Sequence, residues 1–487
     1  MTGTTTATVA AAVRRRIADP AAQPAVARPA GPMSTPERVL VVGGDAAGMS
    51  AASRIARHGC GSRVTVLERA AVVSYAACGM PYHLDGRIPD ARTLLVRSPQ
   101  EFAALGIEVR LNHEVTAVDP VARTATVRSD GVDRVLGYDA LLLATGARAC
   151  LPPLPGRAAD GVYTFRTYAD MIRLADRLDR DRPRRIVLVG GGYIGVELAE
   201  VLRCAGVAVT LVEAGPTLLG TTLDPGPAAV VAEELAGRGI EVRLGEQVGG
   251  IHTRAGAVSG VATSSGDVAC DAVVVAVGAA PNADLAEAAG LALDERSGAV
   301  LTGEDLRSSR DGVWAAGDCA ATVDLVSGQR TWVPLGPTAN KQGRIAGDSI
   351  LGLPARFAGV AGTALVKAFD LEIGRTGLTA AAAAAAGFDP VCATVESTDR
   401  AHYYPGARPT RVLLVADRST GRLLGGQVLG RSGVAGRTNV LATALYARLG
   451  VEDLLDLDLG YAPPFAPVWD PVLVAAGQVR RRIRETG

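Results

Sequence analysis

The chain has 487 residues, 48% of them hydrophobic, with 50 basic and 50 acidic side chains and a formal net charge of zero. That length is too great for one domain and predicts about three. The charge balance excludes nucleic acid or an anionic membrane surface as the main partner, since either would favour a basic excess, and no apolar run approaches the ~18 residues of a membrane span.

Residues 1–36 are rich in Ala, Thr, Pro and Arg without periodicity and read as a disordered tail. Their apolar part precedes Arg14-Arg15-Arg16, the reverse of a secretory signal. An Arg-rich targeting peptide is the weaker alternative, and Met33, just ahead of the first strand, offers a later start. The seven cysteines (60, 78, 150, 204, 270, 319 and 392) are odd in number and scattered, with no CxxC pair. They predict free thiols in a reducing, cytoplasmic compartment and no metal site.

Val39–Val42 reads as a short buried strand, followed by Gly43-Gly44-Asp45-Ala46-Ala47-Gly48 and a helix over Met49–His58. Strand, small-residue turn and helix open a dinucleotide-binding unit. Gly43 permits the tight turn, Gly48 lets the helix pack on the strand, and the helix N-terminus receives the pyrophosphate. Asp45 replaces the middle glycine of the usual pattern. The next strand, Arg63–Leu67, ends at Glu68, which lies 20 residues past Gly48 and is followed by Arg69. An acid there binds ribose hydroxyls.

Ser74-Tyr75-Ala76-Ala77-Cys78-Gly79-Met80-Pro81-Tyr82 places one cysteine among small residues, with a glycine that allows close approach. By itself this is either an accessible reactive thiol or a turn with a buried structural cysteine. Tyr138–Ala147 reads as a strand and a turn carrying Ala144-Thr145-Gly146. Arg185–Val189 leads into Gly190-Gly191-Gly192-Tyr193-Ile194-Gly195, a full G-x-G-x-x-G between strand and helix. The following strand, Ala208–Val212, ends at Glu213, 18 residues past Gly195. A carboxylate there binds a free 2′-hydroxyl and repels a 2′-phosphate, so NADH is expected over NADPH. Two turns with two acids mean two dinucleotides, which suits a flavoprotein that takes hydride from a nicotinamide.

Val273–Gly278 reads as a strand, and Leu335–Arg344 as a helix start. Residues 361–378 and 411–430 alternate like a sheet, residues 438–455 look helical, and Ala381–Ala386 is helix or loop filler.

The Ser74–Tyr82 stretch resembles the active-site segment of the single-cysteine pyridine nucleotide–disulfide oxidoreductases, most of all the coenzyme A-disulfide reductase branch. The likeness extends over roughly residues 37–475. It is carried further by Asn112-His113-Glu114-Val115, Gly278-Ala279-Ala280-Pro281-Asn282, Val313-Trp314-Ala315-Ala316-Gly317-Asp318, Leu335–Arg344, Arg400–Gly406 and Tyr461-Ala462-Pro463-Pro464-Phe465. The resemblance implies an α/β fold with two Rossmann-like nucleotide-binding domains and a C-terminal α+β dimerisation domain. The FAD-binding domain would occupy residues 37–150 and 276–350, the NAD(P)-binding domain residues 151–275, and the dimerisation domain residues 351–487.

It further implies that Cys78 faces the flavin. Gly43, Gly44, Ala46, Ala47, Gly48, Glu68 and Arg69 would hold FAD, with Val115 at adenine, Ala144, Thr145 and Gly146 at the domain exit, Gly317 and Asp318 at the ribityl chain, and Ala339 at the ring. Gly190, Gly192, Ile194, Gly195, Glu213 and Gly278 would hold NADH, with NADPH the alternative donor. Tyr193 would cover the flavin until nicotinamide displaces it, and Glu197 would lie beside the nicotinamide. Tyr404 and Tyr461 would reach the partner's cysteine in a homodimer. Arg54, Arg57, Ser74 and Asn340 are the candidate substrate contacts.

Residue choices separate the branches. Position 83 is His83, so the second thiol of a two-cysteine reductase is missing, and Ala46 stands where peroxidases and oxidases carry a histidine. Within the coenzyme A branch, Ala77 replaces an asparagine, Arg400 a histidine and Trp469 a phosphate-binding lysine, which weakens the case for coenzyme A itself. The expected activity is NADH-dependent reduction of a small disulfide or persulfide through a mixed disulfide on Cys78. An NADH oxidase or peroxidase is the alternative, and a non-catalytic flavoprotein redox sensor is the third reading.

Overall fold

The computed structural model describes residues 35–485 apart from Cys60. The expected N-terminal tail, with its alternative start at Met33, therefore lies outside the described residues except for positions 35 and 36. The chain enters on β1 (Arg38–Val42), whose last four residues are buried. A parallel strand covered on both faces needs a continuous apolar run, and Val39-Leu40-Val41-Val42 supplies it. The turn leads into α1 (Ala46–His58), three residues longer at its start than the sequence suggests. β2 (Arg63–Glu68) returns parallel to β1 with Val39 opposite Val64.

β3 (Ile107–Leu111) and β4 (Ala140–Leu143) follow. Between them, residues 114–137 form a three-stranded antiparallel sheet that the sequence reading did not foresee. The second unit has the same construction. It runs β5 (Val162–Thr164), α2 (Tyr168–Asp181), β6 (Arg185–Val189), α3 (Tyr193–Cys204), β7 (Ala208–Glu213), β8 (Glu241–Leu244) and β9 (Ala272–Val275). Its parallel sheet has the order β8-β7-β6-β9-β5, again with an antiparallel insertion, over residues 248–269. The chain then goes back to the first sheet as β10 (Val313–Ala315), completing the order β10-β4-β1-β2-β3, and continues as α4 (Gly336–Ile350).

α1 and α4 pack closely because small residues face each other. A Cβ built on Gly343 would lie 2.2 Å from the Ala47 carbonyl oxygen, so only glycine fits. The C-terminal part is an antiparallel sheet of order β11-β12-β15-β14-β13, with β11 (Ala364–Ala368), β12 (Leu371–Gly377), β13 (Pro390–Thr398), β14 (Pro409–Asp417) and β15 (Leu423–Gly430). It is covered by α5 (Val434–Tyr446) and α6 (Pro471–Glu485). The alanine run forms a short helix, Ala380–Ala385, capped by Thr379. The helix expected over 438–455 is two helices, since Leu445 and Ala444 carbonyls close the first and Gly450 starts a second at Val451–Leu455. No helix among the described residues is long and apolar enough to cross a membrane.

Candidate active site

Both glycine turns are built alike. Gly43 has φ +109° and a Cβ there would sit 2.1 Å from the Ala144 carbonyl oxygen; Gly190 has φ +108° and would meet the Ala276 oxygen at 2.5 Å. Gly48 and Gly195 leave their helices room to start, since a Cβ on either would come within 1.9 and 2.0 Å of the carbonyl oxygen of the first turn glycine. The acids at the strand ends are held from both sides. Glu68 accepts from Gly44 N (2.7 Å) and Ala70 N (2.8 Å). Glu213 accepts from Gly191 N and Gly215 N, both at 2.6 Å. Each carboxylate keeps lone pairs for a ribose hydroxyl.

A cavity of about 2020 Å³ joins the two turns. That is more than a single cofactor pocket of common size. Glycines without Cβ, helix N-termini and the two terminal acids give it the donor set for two dinucleotides. Gly43, Gly44, Ala46, Ala47, Glu68, Arg69, Ala144, Thr145 and Gly146 line its first half, and Gly190, Gly192, Tyr193, Ile194, Glu197, Glu213 and Gly278 its second. Gly317, Asp318, Ala339, Asn340 and Cys78 line it as well. Gly48 and Gly195 act behind the wall. Val115 is buried on the antiparallel insertion and is not part of the lining.

Cys78 sits in a single 3₁₀ turn, Ala77–Gly79, with its side chain exposed to the cavity. The segment is fastened to the first turn by Ser74 N donating to Gly44 O (2.8 Å), and Ser74 takes a left-handed φ of +51°. Ser74 thus serves the backbone and does not line the cavity. Burial raises the Cys78 thiol above its ordinary value; Glu197, Asp45 and Asp318 add to this and Arg166 opposes it. The groups that surround Cys78 within one chain therefore favour the thiol over the thiolate. Glu197 is itself pushed up to about 7, by burial and then by Glu200.

Within one chain, four candidate site residues stand off the cavity: Arg54 and Arg57, and the tyrosines Tyr404 and Tyr461, whose expected place is at the partner's cysteine. Arg54 is ion-paired with Asp348 (2.6 Å) and contacts His58, and neither Arg54 nor Arg57 lines the cavity. Tyr404 and Tyr461 also lie off the cavity lining. The phenol that meets Tyr461 is that of Tyr403, at 3.2 Å, while Tyr404 turns its backbone N–H to Ala401. Asn340 lines the cavity but already accepts from Ser50 Oγ at 2.7 Å.

Two residues escaped sequence reasoning. Arg166, just ahead of α2, is ion-paired with Asp318 and donates to Ala147 O. It also lines the cavity. A single arginine before a Thr167–Asp170 capping box gives no sequence signal of this. Asp45 was visible only as a departure from a glycine pattern.

Residues 37–343 match the pyridine nucleotide-disulphide oxidoreductase family, and residues 363–471 match its dimerisation domain. The NAD(P)H coenzyme A polysulfide/persulfide reductase of Pyrococcus horikoshii is 38% identical, over 90% of this chain and 98% of its own length. The NADH oxidase of Methanocaldococcus jannaschii is 30% identical, over 92% of this chain and 99% of its own. The solved NAD-dependent persulfide reductase from A. fulgidus superposes with a TM-score of 0.90 at 36% identity, covering 92% of this chain and 84% of that one. With two nucleotide turns, a cysteine on their shared cavity and both family segments in order, this chain belongs to the FAD-dependent, NAD(P)H-using pyridine nucleotide-disulphide oxidoreductases.

Proposed function

We propose that the protein uses NADH to reduce a low-molecular-weight disulfide or persulfide through Cys78. The observation that carries this reading is one free thiol on the wall shared by both nucleotide turns. Relatives named as reductases of such sulfur compounds over nearly their whole length support it. Bound FAD supplies the step that passes two electrons from NADH to the sulfur.

The chain's own residues do the rest. The two glycine turns and Glu68 and Glu213 bind and orient the nucleotides, and the pinned Glu213 favours a free 2′-hydroxyl. Cys78 holds one half of the substrate as a mixed disulfide and, once freed as thiolate, attacks the next S–S bond. A thiolate at Cys78 needs stabilisation that Glu197, Asp45 and Asp318 oppose. We therefore assign that role in part to phenols from the second subunit, Tyr461 of the partner subunit and Tyr404 of the partner subunit, which can also protonate the departing thiolate. Tyr403, bonded to Tyr461, joins them in this scheme. We place the nucleotide domains at 37–150 with 276–350 and at 151–275, and the dimerisation domain from 351 onward.

Cys78→Ser tests the reading. It should abolish disulfide and persulfide turnover while NADH still bleaches the visible absorbance of the bound FAD; surviving turnover would sink the scheme. The oxidase reading is favoured only by the relatives named NADH oxidase. Oxygen consumption stoichiometric with NADH loss, and indifferent to added disulfide, would replace the reductase with it.

A further inference from the structure

Asp45 stands where dinucleotide turns usually carry their second glycine, and the redox scheme gives it no task. It is the residue before α1, with φ −110°, a conformation open to any amino acid, and its side chain does not cap the helix. Asp45 stands on the cavity wall at the first turn, next to Gly44, whose N–H is taken by the carboxylate of Glu68 at 2.7 Å.

The charged and titratable groups that face it are Glu68 at the end of β2, Arg166 ahead of α2, and Tyr75 and Cys78 on the redox segment. Arg166 is already shared with Asp318. Burial, opposed by the Tyr75 N–H and reinforced by Glu68, carries the Asp45 carboxyl up to about 6. The diphosphate of FAD brings further negative charge to a turn that already holds two carboxyl groups. Like charges repel more strongly in a partly dry site than in water, and the cheapest relief is for one carboxyl to become neutral.

We propose that Asp45 takes up one proton from solvent when FAD binds, turning –COO⁻ into –COOH, so that cofactor affinity is coupled to pH through this residue. The inference rests on FAD occupying the first turn. A protonated Asp45 no longer opposes a thiolate at Cys78. By linkage, a group that binds its proton more tightly in the complex weakens the complex as pH rises between its free and bound titration midpoints.

The test is titration of the FAD-stripped protein with FAD, followed by quenching of FAD fluorescence across neutral pH. The dissociation constant should rise with pH, by up to about tenfold per pH unit, above about pH 6. Asp45→Asn, which keeps the size of the side chain without its charge, and Asp45→Gly, which restores the usual turn, should both flatten this dependence. Calorimetry of the unsubstituted protein in buffers of different ionisation enthalpy should independently read uptake of a proton. A flat wild-type profile with no proton uptake, or an equal slope in Asp45→Asn, overturns the proposal. Failure of the protein to bind FAD at any pH would instead overturn the cofactor assignment on which it stands.

Discussion

Glu197 is the acid whose titration reports most directly on the redox cysteine. Its carboxyl is carried to about 7 by burial, with Glu200 second. When ionised, it is the largest charge that disfavours the Cys78 thiolate. Glu197→Gln removes that charge, so the pH midpoint for alkylation of Cys78, followed by mass spectrometry of the modified peptide, should move to lower pH. No movement would mean the two groups are not electrostatically coupled. A second consequence concerns stability. A carboxyl whose folded value exceeds its unfolded one stabilises the fold most below the unfolded value, about 4.5, and this contribution is lost as pH rises through about 7. Glu197 alone should therefore cost the FAD-free protein roughly 3 kcal/mol between those limits, and Glu197→Gln should flatten that part of a denaturation-versus-pH curve. The position of Glu197 on the helix after the second glycine turn was legible in the sequence. Its neighbour Glu200 became relevant only through burial, where it pairs with Arg87 and accepts from Phe369 N.

Two packing relations carry predictions among the elements. α1 and α4 approach through Ala47 and Gly343, with backbone rather than a movable side chain in the way of any added Cβ. Gly343→Val should force the helices apart, cost about 1–3 kcal/mol or more, and lower the FAD content of the purified protein together with its melting temperature. Normal FAD content and stability would contradict the geometry. At the join of α5 and α6, Arg437 and Asp470 form a buried ion pair at 2.9 Å, and Arg437 also donates to Asp399 O. Asp470→Asn leaves a buried guanidinium without its counter-charge and should destabilise the C-terminal part by about 3–5 kcal/mol, read as an earlier unfolding transition. The parallel strands were readable because a strand covered on both faces must be an unbroken apolar run. β13 was not, because Glu396, Ser397 and Thr398 break its apolar pattern. α6 was missed as well, since Arg480, Arg481 and Arg482 crowd the end of a helix whose apolar face is recognisable only once β13 and β14 lie against it.

For the molecule as a whole, the C-terminal part presents an exposed apolar face. Tyr403, Phe465, Val468 and Trp469 are 65%, 79%, 65% and 68% exposed, all within the segment that matches the family's dimerisation domain. An apolar surface of this kind is expected to be covered in the working protein. Trp469→Glu should shift the protein toward monomer by light scattering and take disulfide turnover down with it. Tyr461→Phe should leave the dimer intact and slow turnover by about 10²-fold or more if its phenol protonates the leaving thiolate. Full turnover in a monomeric variant would show that one chain suffices.

The glycine turns, the terminal acids and the lone cysteine could be read from the sequence because each depends on local rules: a left-handed φ, a missing Cβ, a strand ending in a carboxylate. Whether Arg54 was free, which tyrosine met Tyr461, and what charges surrounded Cys78 could not be read there. Those answers depend on Asp348, Tyr403, Arg166 and Asp45, residues brought together from distant parts of the chain. Burial and Coulomb interaction act through space, and only the tertiary fold sets those distances.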